Sequence, residues 1–169
     1  MDTKGSTTLD VADDIDLLLK LDSDGWSDCF IHVRNKCYKL VITHIFGDPY
    51  YDFMHSLMSL INGQQSTTFF WYNEPGGEKI EITKLKSDQN IVIVNIQSFR
   101  EQFGREIKEL EENICFNVKL NSLLIVSYMQ LRKTFLLLKD RDFAQHRNNI
   151  FSFQKFIEFE NAVKSFLKL

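Results

Sequence analysis

Between Thr43 and Phe99 the spacing of apolar residues changes from a helical to a strand period at a single glycine, and that change constrains the fold more than any other stretch. Asp48 is placed as an N-cap, Pro49 suits the first helical position and Gly63 supplies a left-handed stop. Between them Tyr50, Phe53, Met54, Leu57, Leu60 and Ile61 make one apolar helix face, and Asp52, His55, Ser56 and Ser59 line the other. After Gly63 the period is two, and Pro75-Gly76 fits the centre of a type II turn joining Glu74 to Gly77. That register sets Trp71 across from Ile80 and Phe69 from Ile82 on the core face, with Phe70 and Tyr72 on the opposite face beside Glu81 and Lys79. A third strand, Ile91 to Phe99, turns Val92, Val94 and Ile96 inward, which requires an odd-length loop or a bulge after the second strand.

The flanks extend this frame. Asp10 to Leu21 carries Val11, Ile15, Leu18 and Leu19 behind an Asp10 cap, which predicts a short helix inside an acidic segment covering residues 1–25. Cys29 to Thr43 reads as a hairpin turning at Asn35-Lys36, with Val33 facing Tyr38, Ile31 facing Leu40 and Cys29 facing Ile42. Arg100 to Glu112, apolar only at Phe103, Ile107 and Leu110, reads as a surface helix. Ile114 to Leu120 alternates as a last strand. Asn121 or Ser122 then caps a long helix to about Lys139, and Ser152 caps another. The expected class is α+β: a mostly antiparallel sheet of about five to six strands packed on one central and two C-terminal helices, in a single domain over residues 1–169.

Composition narrows the function classes. The 169 residues are 44% hydrophobic, with fifteen Phe against two Pro and seven Gly, which suits one packed domain. No segment offers the uninterrupted apolar run of a membrane span, and the first residues lack a signal-peptide pattern, so the expectation is a cytoplasmic protein without membrane association. Three Cys make no disulfide framework. The net charge of −3 conceals eight Asp in the first 28 residues against two Lys, a segment that repels nucleic acid and attracts a basic protein. The alternative is that these Asp residues merely solvate an exposed face of the expected helix and cap its start.

Chemistry-bearing residues do not converge in this reading. Cys29 and Cys37 fall on opposite hairpin faces and His32 sits beside Lys39, so no metal site is expected; His44, His55 and His146 read as surface or helix-end residues. Asp52 and His55, at i and i+3, read as a local ion pair, since no third group is placed to orient the His. Glu74 and Glu78 flank an exposed turn that offers no walled pocket. No nucleotide, metalloprotease or serine-hydrolase signature occurs, and no cofactor is expected. Phe70 and Tyr72 either anchor a partner or lie under a C-terminal helix.

The succession of the Cys29 to Thr43 hairpin, Ile45-Phe46-Gly47-Asp48 with Leu57, Leu60 and Gly63, the aromatic strand closing in Glu74-Pro75-Gly76, and a strand ending Ile96-Gln97-Ser98-Phe99 resembles a family of small bacterial α+β proteins. The chain departs from that pattern in carrying Gly77 where a Tyr is common. Such proteins are similar to the immunity proteins encoded beside polymorphic and contact-dependent growth-inhibition toxins. The resemblance implies a non-enzymatic protein, monomeric or homodimeric, that binds and neutralises a cognate toxin. With the acidic segment it points to a basic nuclease and to a binding surface of Asp10, Asp13, Asp14, Asp16, Asp22, Asp24, Phe70 and Tyr72. An adaptor or homodimer scaffold is the alternative, and a small enzyme without a recognisable motif a more distant one.

Overall fold

Ile15, Leu17, Leu19 and Leu21 recur at every second residue and are all buried, and this alternation decides the first segment. A computed structural model describes residues 10–102, 105–107, 113–147 and 151–169. In it the expected N-terminal helix is replaced by two strands, β1 (Val11–Ala12) and β2 (Asp16–Leu21). The exposed Leu18 lies out of phase with the alternation and lends the segment its helical look. Pairing with the next strand, β3 (Trp26–Val33), overrides the weak helical pattern, because six paired residues bury one complete apolar row.

β3 and β4 (Lys36–Thr43) form the expected hairpin, with the expected faces but a register shifted by two residues: Cys29 faces Leu40 and Ile31 faces Tyr38. The turn is Arg34-Asn35, both left-handed at φ 52° and 57°, as the tightest hairpin turn requires. Asp14 clamps it, its carboxylate accepting from the backbone N–H groups of Arg34 at 2.8 Å and Asn35 at 2.9 Å.

The helix α1 (Pro49–Ile61) forms as its caps predict. The Asp48 Oδ1 accepts from Tyr50 N–H at 3.0 Å, and Gly63 is left-handed at φ 96°. Asp48 Oδ2 also accepts from Ser152 N–H at 2.9 Å, tying this helix to the start of α4 (Phe153–Leu167). Burial pushes the Asp48 carboxyl up, against the pull of its backbone partners. Ser56, expected on the solvent side, is buried.

β5 (Ser66–Asn73) and β6 (Gly76–Lys84) turn at Glu74-Pro75, one residue earlier than expected, through a cis Glu74-Pro75 peptide. Phe69 therefore faces Ile80 and Trp71 faces Glu78. Gly76 and Gly77 belong to the strand rather than the turn. A Cβ on Gly77 would stand 2.5 Å from the Trp71 carbonyl and 2.9 Å from the Phe99 ring, and one on Gly76 would strike the Phe99 carbonyl. Glu78, expected at an exposed tip, is buried and accepts from Ser98 Oγ at 2.7 Å.

Leu85 N–H donates to the Ile91 carbonyl and closes an odd loop, Lys86 to Asn90, which brings Ile82 opposite Val94 and Ile80 opposite Ile96. This strand, β7 (Ile91–Gln102), runs through the start of the expected surface helix and folds back on β8 (Arg105–Ile107). Backbone pairing takes residues that the local pattern assigned to a helix; Phe103 and Leu110 lie outside the described residues. β9 (Asn113–Lys119) is the expected last strand. The helix α2 (Leu120–Leu137) follows at once, with Lys119 at its N-cap and no side-chain cap, so neither Asn121 nor Ser122 has that role. A short α3 (Arg141–Ala144) precedes α4, whose Ser152 Oγ accepts from Lys155 N–H as expected.

The class is α+β, but two sheets replace the expected one. The larger is mixed, ordered β1-β9-β7-β6-β5 with β8 on β7; the smaller is antiparallel, β2-β3-β4. Their inner faces meet, and Leu17, Ile31, Phe69, Ile80, Val94 and Phe116 line one apolar interior. α1 lies along β5, while α2 lies along β2 and caps its open edge: Gln130 Oε1 accepts from Leu19 N–H and Lys133 Nζ donates to the Leu19 carbonyl at 2.7 Å. The inner stripe of α2 (Leu124, Tyr128 and Leu131) packs with Phe156 and Phe159 of α4 in the same core, each such side chain contributing about 1.5–3 kcal/mol by burial.

Candidate functional site

The alternation that buries Phe69 and Trp71 turns Phe70 and Tyr72 to the outer face of the larger sheet, where the C-terminal helices do not cover them. Phe70 is 38% exposed. Two further rings join them. Phe99 reaches over Gly77 from β7, and Phe46, in the loop before α1, leans on Tyr72 with centroids 5.5 Å apart while remaining 66% exposed. Tyr72 is the hub, since Phe70 stacks on it at 6.1 Å and Phe99 meets it edge-on at 5.9 Å.

A groove runs from this group between β5 and α1. Phe46, Asp52, Phe70 and Tyr72 line its first part; a hollow of about 230 Å³ continues it past His55 and Thr68. Asp52 stands between the two parts. Partial burial pushes its carboxyl up from the usual range, offset in part by His55. Among the described residues no Lys, Arg or His lies within ion-pair distance of it. His55 stacks on Tyr51 instead, with ring planes 7° apart.

The six acidic residues singled out in the sequence do not form one surface. As a strand rather than a helix, β2 separates Asp10, Asp13 and Asp14 from Asp22 and Asp24 by its full length, roughly 20 Å. Asp14 serves the hairpin turn, whose backbone N–H groups hold its carboxyl below the usual range. Asp10 pairs with Arg34 at 2.9 Å and Asp22 pairs with Lys20. Asp13, Asp16 and Asp24 form no ion pair among the described residues.

On the outer face of the smaller sheet the observed register aligns Asp16, His32 and Cys37 in one cross-strand row. His32 thus stands beside Cys37, with Nε2 3.5 Å from Sγ, and not beside Lys39. Asp16 turns its carboxylate onto Leu17 N–H rather than orienting the imidazole, and all three side chains are exposed on an open face. Cys29 is buried on the opposite face, its thiol pushed up to about 12 by desolvation. His44, expected at the surface, is buried with Nε2 2.8 Å from Ser27 Oγ, and burial lowers its pKa to about 4. Among the described residues no three His, Cys, Asp or Glu side chains converge as a metal site, and no helix is long and apolar enough to cross a membrane.

No family model, no characterised protein and no solved structure matches the chain.

Sequence reasoning found Phe70 and Tyr72 but passed over Phe46, Phe99 and the contribution of Asp52. Strand parity could have placed Phe99, which lies out of phase with Val94 and Ile96. Nothing local could place Asp52 against β5, because that depends on how α1 docks on the sheet edge.

Proposed function

We propose that this chain is a non-catalytic protein-binding factor of the immunity type, which occupies a basic toxin of the nuclease kind in the bacterial cytoplasm and neutralises it. The aromatic group of Phe46, Phe70 and Tyr72 on the uncovered face, backed by the buried Phe99 ring, carries this reading. Rigid rings that are partly exposed bury a large area on docking at little cost in side-chain entropy, and such residues dominate binding energy at interfaces. Asp13, Asp16 and Asp24 add negative field at both ends of the smaller sheet, which speeds encounter with a cationic partner more than it deepens affinity. No cofactor enters this reading.

The test is co-expression with the toxin encoded by the adjacent gene. The wild-type chain protects growth and forms a complex, while the Phe70→Ala/Tyr72→Ala variant weakens binding at least thirtyfold, about 2 kcal/mol. Absence of both protection and complex overturns the reading. A homodimer scaffold using the same face is the second reading, favoured by the position of β5 at the sheet edge. In that case the wild type sediments as a dimer and the double variant as a monomer.

A further inference from the structure

The groove beside β5 combines features that neither the sheet nor the helix needs for folding. Phe46 and Tyr72 meet at 61° and so form two walls of a corner rather than a flat stack. Phe70 continues the wall along the strand, stacked on Tyr72 with planes 21° apart. Asp52 closes the far side from the first turn of α1. Among the described residues no Lys, Arg or His lies within ion-pair distance of its carboxylate, whereas Asp10, Asp22 and Asp28 each have such a partner. Aromatic faces attract cations through the ring quadrupole, and a carboxylate supplies the opposite charge. A guanidinium satisfies both at once, since its planar face stacks on a ring while its forked N–H edge meets the carboxylate.

We propose that this corner is a receptor for one arginine side chain of the protein partner, its guanidinium plane laid on the aromatic wall that Phe46 and Tyr72 form and its edge on the Asp52 carboxylate. The proposal rests on the protein-binding reading above and names the group that the partner presents. The hollow of about 230 Å³ past His55 and Thr68 leaves room for the partner's chain on either side of that arginine. An arginine fits a basic partner, and its insertion would cover Phe46, the most exposed of the four rings.

The probe is N-acetyl-arginine amide, titrated into the full chain and followed by amide chemical shifts, with N-acetyl-citrulline amide as its neutral isostere. The expected result is saturable shifts at Asp52, Phe70 and Tyr72 with millimolar affinity for the arginine compound and at least tenfold weaker binding of the citrulline compound. Asp52→Asn should weaken arginine binding about tenfold, and the exposed Asp142→Asn should leave it unchanged. Equal binding of the two compounds, or shifts that do not saturate, overturns the proposal without involving any variant. The two readings also fail separately. Toxin protection that needs Phe70 and Tyr72 but is indifferent to Asp52→Asn leaves the function standing and removes the arginine site. Arginine binding at Asp52 in a chain that captures no toxin does the reverse.

Discussion

The two sheets present their outer faces to water in opposite ways. At the centre of the smaller sheet's outer face charge is matched, with Asp16 at its end left without an ion pair among the described residues: Asp28 receives Lys39 at 3.1 Å and Lys20 at 3.8 Å, and Lys39 also lies over the Phe30 ring. On the larger sheet the corresponding place is taken by aromatic rings, and Asp52, which lines the groove beside them, has no Lys, Arg or His within ion-pair distance among the described residues. Charges already paired, as at Asp28, offer a partner little beyond the field of the unpaired Asp residues at the ends of that sheet. A face with uncovered rings beside a lone carboxylate leaves both its apolar area and its charge to be matched from outside.

The most drastic way to test this contrast is to cross from one side of β5 to the other. Trp71 is buried, meets Phe53 and Phe69, and donates its indole N–H to the Pro49 carbonyl at 3.1 Å, so Trp71→Ala should cost about 3–5 kcal/mol in urea unfolding. Phe70→Ala, one residue away on the outer face, should cost less than about 1 kcal/mol. Similar losses for the two would mean that the outer rings serve the fold, and the binding assignment would go with them.

The next effect concerns pH at the junction of the smaller sheet with α1, where His44 bonds Ser27 and meets the Tyr50 ring edge-on at 5.2 Å. Its folded pKa of about 4 lies below the ordinary 6.5, so the unfolded chain binds the proton first as pH falls. The stability tied to neutral His44 is full above about pH 7, declines from pH 6.5 downward, and is reduced by about 3 kcal/mol by pH 4. The quantity to measure is the wild-type minus His44→Gln difference in unfolding free energy at pH 7 and pH 4.5. A difference independent of pH would show that His44 is solvated and the junction open.

The smallest effects compare the two faces directly. Asp28→Asn should destabilise by about 1 kcal/mol and respond to salt, because it leaves two lysines without their shared partner. Asp52→Asn should leave stability within about 0.5 kcal/mol of wild type. A loss at Asp52 equal to that at Asp28 would reveal an internal partner for Asp52 and erase the distinction between the faces.

The parts legible in the sequence are those whose causes are local. Asp48, Pro49 and Gly63 act within one turn of α1, and strand parity alone divided Phe69 and Trp71 from Phe70 and Tyr72. The registers were not legible, because Gly76 and Gly77 look like turn residues until β7 brings the Phe99 ring and carbonyl against them. Residues 15–21 satisfy two periods at once, and only the partner strand β3 chooses between them. The acidic surface dispersed for the same reason: side chains that a helix would gather, an extended strand spreads along its length.

The sequence by itself determined the α+β class, the central helix with its caps, and the two faces of each hairpin, because periodicity and capping are properties of neighbouring residues. Tertiary structure alone decided that there are two sheets, which turn joins β5 to β6, and that Asp52 stands beside Phe46 and Tyr72. Those outcomes depend on contacts between residues far apart in the chain, and a local pattern carries no record of which distant surface will bury it.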